Sequence, residues 1–227
     1  MKNLTLLVLA AASSLVALTE AHISFRYPCP RRAPYDECPK PSGAHSWSDI
    51  DYDPRTPLGT HDRQNLPLPK WPDSFAGTRP VFTAGLTVNT TYDVGAVHKG
   101  GSCQWTLSYD GGKTHVVIQD FFRNCLRDAV SGRTSTLPVK IPANAPSGNA
   151  VLTWVWNNNE GNRELYASSA DVVIRGANGG SLSGVKPALC NYGPASCYIG
   201  EESVSAGNWG EAHFKAREPI TITVPAN

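Results

Sequence analysis

Short apolar runs, separated by turn residues, dominate the chain from about Thr78 onward. Runs of this length that are rich in β-branched and aromatic residues are typical of β-strands. We expect strands at Val81–Phe82, Leu86–Val97, Gln104–Ser108, Val116–Phe122, Leu137–Ile141, Ala150–Trp156, Asp171–Arg175 and Ile220–Val224. Asp110-Gly111-Gly112 has the composition of a hairpin turn. No comparably long helical period competes with this pattern, so the sequence predicts an all-β fold.

Two irregular segments flank these strands. Residues 27–80 contain eleven of the 18 prolines, which cannot donate to a ladder, and this segment predicts a long ordered surface loop. Trp47, Trp71 and Phe75 favour order because we expect them to be buried. Residues 176–219 are glycine-rich and predict a second long loop or small excursion before the last strand. The spacing therefore favours an immunoglobulin/fibronectin-III-like β-sandwich with long disulfide-pinned loops.

The N-terminal segment has the pattern of a secretory leader. Lys2 precedes an apolar run over residues 4–18, and small residues stand at positions minus-three and minus-one in Thr19-Glu20-Ala21. We expect a signal peptide at residues 1–21, a secreted chain that begins at His22, and a single domain over residues 22–227. The alternatives are a membrane anchor, or cleavage a residue or two away.

Charge and cysteine content narrow the class of partner. The formal net charge is +1, which gives no reason to expect nucleic acid or an anionic membrane and leaves an uncharged polymer as a possible partner. Six cysteines in an exported chain indicate disulfides, and of the fifteen possible pairings the close spacings favour Cys29–Cys38 and Cys190–Cys197, leaving Cys103–Cys125. None has the spacing of a structural zinc site. Asn89-Thr90-Thr91 is an N-glycosylation sequon.

A free N-terminal His22 offers two nitrogen ligands, the α-amine and the ring Nδ1. The α-amine has an ordinary pKa of about 7.7–8.0, so a metal can displace its proton near neutral pH. A second imidazole would complete a set of three nitrogens, which suits Cu(II). His98 is the candidate, since it lies at the end of a predicted strand, before two glycines and Cys103.

The third candidate element is Gly161-Asn162-Arg163-Glu164-Leu165-Tyr166. If Leu165 points to the core, the strand period of two places Glu164 and Tyr166 together on the other face. A phenol can act as a weak axial ligand, and a carboxylate beside it can accept hydrogen bonds near the metal. The alternatives are ordinary core roles for His98 and Tyr166, and a surface ion pair between Arg163 and Glu164.

These blocks together resemble the fungal lytic polysaccharide monooxygenases, above all the chitin-active group called auxiliary activity family eleven. The matching pieces are His22, His98-Lys99-Gly100-Gly101-Ser102-Cys103-Gln104, Leu107-Ser108-Tyr109-Asp110, and Trp154-Val155-Trp156 leading into residues 161–166. The resemblance covers about His22 to Arg175. It implies a histidine brace for one copper ion, in which His22 supplies the amine and Nδ1, His98 the Nε2 atom, Tyr166 the axial phenol and Glu164 the neighbouring acid.

The resemblance also implies an activity. It is the oxidation of C1 or C4 of a β-1,4-linked sugar by oxygen or hydrogen peroxide, with an external electron donor. Chitin is the first-choice substrate, with cellulose or another β-glycan second, and we expect a monomer. Hydrolysis would need two carboxylates that flank the bond, and no convincing pair is present. The rival hypotheses are a non-catalytic copper-binding protein with the same brace, and a polysaccharide-binding effector.

Some residues depart from the family pattern or have no partner motif. The family usually has a cysteine shortly after the tyrosine, where this chain has Ala167-Ser168-Ser169, and Lys99 replaces an expected glycine. We interpret the remaining histidines as surface or loop residues: His45, His61, His115 and His213. Three tryptophans are candidates either for stacking on sugars or for packing: Trp47, Trp71 and Trp209.

Overall fold

Eleven β-strands and two short helical turns make up the computed structural model, which describes residues 22–201 and 210–226. The predicted signal peptide at residues 1–21 and Trp209 lie outside the described residues. The strands are β1 (Ile23–Tyr27), β2 (Gly59–Thr60), β3 (Val81–Thr83), β4 (Thr87–Val94), β5 (Gly101–Ser108), β6 (Val116–Phe121), β7 (Thr134–Lys140), β8 (Gly148–Asn158), β9 (Glu164–Arg175), β10 (Gly180–Val185) and β11 (Pro219–Val224). A 3₁₀ turn covers Trp47–Asp49, and α1 covers Glu211–Lys215.

The strands form two main sheets and one separate hairpin. The smaller sheet has the order β1-β4-β7 and is antiparallel. The larger sheet has the order β2-β9-β8-β5-β6, and β3 adds to β9 as a parallel strand. β10 and β11 pair with each other and contact the β6 edge. None of the helices within residues 22–201 and 210–226 is long and apolar enough to cross a membrane.

The main core lies between the two sheets. Phe25 of β1 and Tyr92 of β4 face Trp154 of β8, with ring centroids 6.2 Å and 5.0 Å from the Trp154 ring. The indole of Trp105 on β5 donates a hydrogen bond of 2.8 Å to the Tyr92 hydroxyl, which ties the sheets together. The predicted all-β sandwich is therefore confirmed.

Residues 27–80, here called the proline-rich segment, cover the outer face of the larger sheet. Leu58 of this segment packs with Val155 and Leu165 in a second buried cluster. Arg31 holds the segment in place, because its guanidinium binds the Asp171 carboxylate. It also donates to the backbone carbonyls of Trp71, Pro72 and Gly111. Apolar cover and a buried ion pair explain why a segment with so little regular structure is ordered.

Three disulfides join the pairs that the spacing favours: Cys29–Cys38, Cys103–Cys125 and Cys190–Cys197. The expectation for the aromatic residues of the proline-rich segment was partly wrong. Phe75 is buried and the Trp71 indole donates to Asp51, but Trp47 is 65% exposed.

All eight predicted strands are present, with shifted ends. The prediction that residues 176–219 form one loop or excursion was incomplete, since they contain β10 and α1. β10 has the sequence GSLSGV, with too few β-branched residues to indicate a strand. It forms because it pairs with β11 in register from Gly180 to Val185 and buries Leu182.

Candidate metal centre

His22 lies immediately before β1, at the edge of the smaller sheet. Its carbonyl accepts a hydrogen bond of 2.7 Å from the Gly95 amide, which continues the pairing of Ile23 with Val94. The His22 side chain is partly buried, and its Nδ1 atom is buried with no hydrogen-bond partner among the described residues. A buried ring nitrogen without a partner is costly unless something binds it, which makes this atom a candidate metal ligand.

His98 lies in the loop that runs from β4 to β5. The backbone at His98, Lys99 and Gly100 is left-handed, with φ values of 46°, 53° and 85°, and the Gly100 amide donates to the Val97 carbonyl at 2.6 Å. Lys99 adopts this conformation without a glycine, and its ammonium pairs with Glu160 at 2.6 Å. The tight turn brings His98 back beside the start of β5, and its Nε2 atom is buried.

Glu164 and Tyr166 open β9 and point the same way, as the strand period predicts. The Tyr166 hydroxyl donates a hydrogen bond of 2.6 Å to Oε2 of Glu164. Leu165 points the opposite way, into the buried cluster beneath the proline-rich segment, while Tyr166 joins the core between the sheets, so the expected alternation is confirmed. Both faces of this sheet are covered, so alternation alone does not tell which face is the core.

Two aromatic rings connect the histidines. The His22 ring meets the Tyr166 ring edge-on at a centroid distance of 5.7 Å. The Tyr166 ring lies 4.9 Å from Trp156, which is its cross-strand partner, and the Trp156 ring lies 6.0 Å from His98. The structure thus brings all four residues selected from the sequence to one end of the sandwich.

The Tyr166 phenol stays protonated in this setting. Its burial, followed by its hydrogen bond to the Glu164 carboxylate, raises the pKa of Tyr166 well above its ordinary value of 10.0. Tyr166 is 1% exposed and Glu164 is 9% exposed. The pair therefore presents a neutral phenol next to His22 and a carboxylate behind it, both shielded from water.

The donor chemistry of this end of the sandwich limits the metal it suits. Within residues 22–201 and 210–226, no group of three or more histidine, cysteine, aspartate or glutamate side chains is arranged to hold a metal ion. A site built here has two imidazoles, and it needs a further nitrogen such as the His22 α-amine. A set of nitrogen donors fits Cu(II) better than Mg²⁺ or Ca²⁺, which prefer oxygen ligands.

Sequence reasoning missed two residues at the site. Trp156 separates Tyr166 from His98, and the glycine at Gly161 lies against the His98 ring, where an added Cβ would be 3.1 Å from Nδ1. Trp156 and Gly161 belong to motifs that the sequence shows, but their contacts depend on the pairing of β8 with β9. The position of Trp156 opposite Tyr166 follows from that register, which no local signal specifies.

The other four histidines have different surroundings. His115 lies in the loop before β6, as predicted, but it is only 7% exposed and has its Nδ1 atom 3.0 Å from the Thr106 hydroxyl. His213 lies exposed on α1, and His45 is partly buried against Phe75. The His61 ring packs edge-on against Tyr198 at 4.6 Å.

Comparison with known proteins gives a family. The chain is 38% identical over 165 residues to the AA11 family lytic polysaccharide monooxygenase A of Aspergillus fumigatus, which is 72% of this chain and 69% of the relative. It is 32% identical over 144 residues to an AA11 family lytic polysaccharide monooxygenase of Aspergillus oryzae, which is 54% of this chain but only 34% of that relative. No family model matches the chain.

Similarity to solved structures is weak. A cellulose-active polysaccharide monooxygenase from M. thermophila aligns with a TM-score of 0.47 and 18% identity, covering 73% of this chain and 82% of that one. An AA10 lytic polysaccharide monooxygenase from Streptomyces lividans aligns with a TM-score of 0.35 and 15% identity, covering 47% of this chain and 64% of that one. The assignment therefore rests on the sequence relatives, of which the first matches over more than two thirds of its length. By that similarity the chain belongs to the AA11 family of lytic polysaccharide monooxygenases, which are oxidoreductases.

Proposed function

We propose that this chain is a secreted, copper-dependent monooxygenase that cleaves an insoluble β-1,4-linked polysaccharide, with its site at His22, His98, Tyr166 and Glu164. The observation that supports this most is the buried Nδ1 atom of His22, which has no hydrogen-bond partner among the described residues and lies in the same cluster as His98. The aromatic rings between them, Tyr166 and Trp156, are buried, and such an apolar shell limits solvent access to a metal site.

The residues fit a copper ion held by three nitrogens. His22 would supply its α-amine and Nδ1, and His98 would supply Nε2. The amine is available only if the chain is cut after Ala21, so the proposal includes the signal peptide at residues 1–21 and a secreted protein. Tyr166 would contribute a neutral phenol beside the ion. Copper, when bound, supplies the one-electron chemistry by which oxygen or hydrogen peroxide oxidises a C–H bond of a sugar.

The chain's own residues set the surroundings of that chemistry. The Tyr166 ring packs edge-on against the His22 ring, with the centroids 5.7 Å apart. The Tyr166 hydroxyl donates to Glu164 in a hydrogen bond of 2.6 Å, which fixes the direction of the phenol hydrogen. Trp156 fills the space between Tyr166 and His98. We assign Glu164 and Tyr166 to the catalytic machinery on these contacts.

For substrate we propose chitin first and cellulose or another β-glycan second, with an external electron donor and a monomeric enzyme. The preference for chitin comes from the resemblance to family eleven.

The test is to load the mature protein with copper, add ascorbate and chitin or cellulose, and analyse the soluble products by mass spectrometry. We expect aldonic-acid or C4-keto oligosaccharides from the parent and none from the H98A variant. Tight copper binding without oxidised product from any β-glycan would refute the enzymatic proposal and favour a non-catalytic copper-binding protein.

A further inference from the structure

A hairpin turn at residues 159–163 lies directly against the imidazole of His98. Gly161, in this turn, has a φ of +85°, and a Cβ added to it would lie 3.1 Å from Nδ1 and 3.3 Å from Cε1 of His98. The glycine backbone therefore forms the surface on which the Nδ1 edge of the ring rests. Nε2, the proposed ligand atom, is bonded to Cε1, so Gly161 contacts the ring next to it.

Hydrogen bonds join this hairpin to the turn that carries His98. The Asn159 amide donates to the Gly100 carbonyl at 3.0 Å, and its side-chain amide donates to the Lys99 carbonyl at 3.3 Å. The Lys99–Glu160 ion pair of 2.6 Å is a third connection. A displacement of the hairpin would therefore move the His98 turn with it.

Arg163 fixes the shape of the hairpin from inside. Its Nε and Nη2 atoms donate to the Gly161 carbonyl at 2.9 Å and 2.7 Å, and Nη1 donates to the carbonyls of Asn158 and Gly200, each at 3.1 Å. The Gly161 amide donates to the Glu201 carboxylate at 3.1 Å. Both the amide and the carbonyl of Gly161 are therefore held.

The guanidinium of Arg163 is suited to this role. Its rigid planar fork reaches three carbonyls at once, whereas an ammonium carries its donors on one nitrogen at the end of a flexible stem. Glu164, its neighbour in sequence, is buried and accepts from Tyr166 instead. The contacts of Arg163 are thus directed at the backbone around His98, and a surface ion pair with Glu164 does not describe them.

We infer that Arg163 and Gly161 are positioning residues for the His98 imidazole: Arg163 holds the hairpin, and Gly161 sets where the ring lies. The inference rests on the proposed function, since it takes His98 to be a copper ligand. It concerns the geometry of a ligand and assigns no role in contact with the substrate.

The experiment measures Cu(II) affinity and the Cu(II) electron paramagnetic resonance spectrum of purified mature protein. For Arg163→Met we expect a loss of affinity of about 10- to 100-fold, the range found when groups that orient metal ligands are removed. The nitrogen hyperfine pattern should change as well. Arg163→Lys should fall between the parent and Arg163→Met, since one of the carbonyls can still be reached.

Gly161→Ala tests the contact with the ring independently of Arg163. The matched control is Gly111→Ala, because Gly111 has a similar φ of +81° but has open space around an added Cβ. Both substitutions introduce the same backbone strain. We expect a shifted spectrum and weaker binding only for Gly161→Ala. Arg175→Met, at the other end of β9, is the control for loss of an arginine and should bind copper like the parent.

The outcomes separate the inference from the proposed function. If H98A binds copper as tightly as the parent, His98 is not a ligand and the proposed function fails. If H98A loses affinity but Arg163→Met and Gly161→Ala keep the parental affinity and spectrum, only the positioning inference is overturned. Thermal unfolding of each copper-free variant checks its fold. Should Arg163→Met fail to fold, the comparison of Gly161→Ala with Gly111→Ala decides the question.

Discussion

The hydrogen bond from Tyr166 to Glu164 allows a quantitative test of the buried pair. The two oxygens are 2.6 Å apart, and the residues are 1% and 9% exposed. Tyr166→Phe removes the donor while it keeps the ring that packs against His22 and Trp156. The carboxylate of Glu164 then remains buried without this donor, so the cost should exceed that of an ordinary hydrogen bond.

The expected loss of stability follows from the charge of the group that accepts the hydrogen bond. Hydrogen bonds to charged groups contribute about 1.5–3 kcal/mol, and neutral ones about 0.5–1.5 kcal/mol. Tyr109 provides the matched control, because its hydroxyl donates to the neutral Pro146 carbonyl at 2.8 Å. Tyr166→Phe should therefore lower the free energy of unfolding by about 1.5–3 kcal/mol, and Tyr109→Phe by about 1 kcal/mol.

The assay is urea unfolding of the copper-free protein at pH 7, with a double-mutant cycle. In a Glu164→Gln background the acceptor is a neutral amide, so Tyr166→Phe should cost only about 0.5–1.5 kcal/mol there. A cost for Tyr166→Phe no larger than that for Tyr109→Phe in the parent protein would show that Glu164 does not act as a buried charged acceptor.

Three further predictions concern other parts of the fold. Arg31→Met leaves Asp171 buried without its main partner, so urea unfolding should show a loss of about 3–5 kcal/mol. Burial lowers the pKa of His115 from its ordinary 6.5, so the unfolded chain binds that proton more readily. The contribution of His115 to stability is therefore complete above about pH 6.5 and is lost as the pH falls. Between pH 7 and pH 5, the melting temperature should fall less steeply in His115→Asn than in the parent protein. Asn89 is exposed on β4, and Asn89→Gln should remove one glycan mass from protein secreted by a eukaryotic host.

Each of these predictions has an outcome that contradicts it. A cost below about 1 kcal/mol for Arg31→Met would mean that Asp171 finds another partner or is solvated. An unchanged slope in His115→Asn would mean that His115 does not titrate differently in the folded and unfolded states. Intact masses of the parent and Asn89→Gln that differ only by the added methylene group would exclude glycosylation at this sequon in that host.

The strands whose sequences carry strong periodic signals could be predicted from the sequence. β8 is rich in β-branched and aromatic residues, and almost all residues of β5 and β8 are buried because both of their faces are covered. The disulfides followed from short spacings, which allow few other partners. β10 could not be predicted, since its glycines and serines become a strand only by pairing with β11.

The residues of the candidate site also divide into those that local signals identify and those whose positions depend on tertiary packing. His22, His98, Glu164 and Tyr166 were found from ligand chemistry and motif resemblance, and the structure brings them together. The side of the sheet on which Leu165 packs and the burial of His115 could not be predicted, because both depend on which neighbouring segments cover a face, and that is a property of tertiary packing. The contact of Gly161 with His98 likewise joins two turns that are distant in sequence.

The central claim is that His22 and His98 form a copper brace that includes the α-amine of His22. The most direct test compares Cu(II) binding by the chain that begins at His22 with binding by the same chain carrying one extra N-terminal residue. The account predicts one Cu(II) per mature chain and a loss of affinity of more than about tenfold, or 1.4 kcal/mol, when the amine is blocked. Equal affinity of the two chains would contradict the brace.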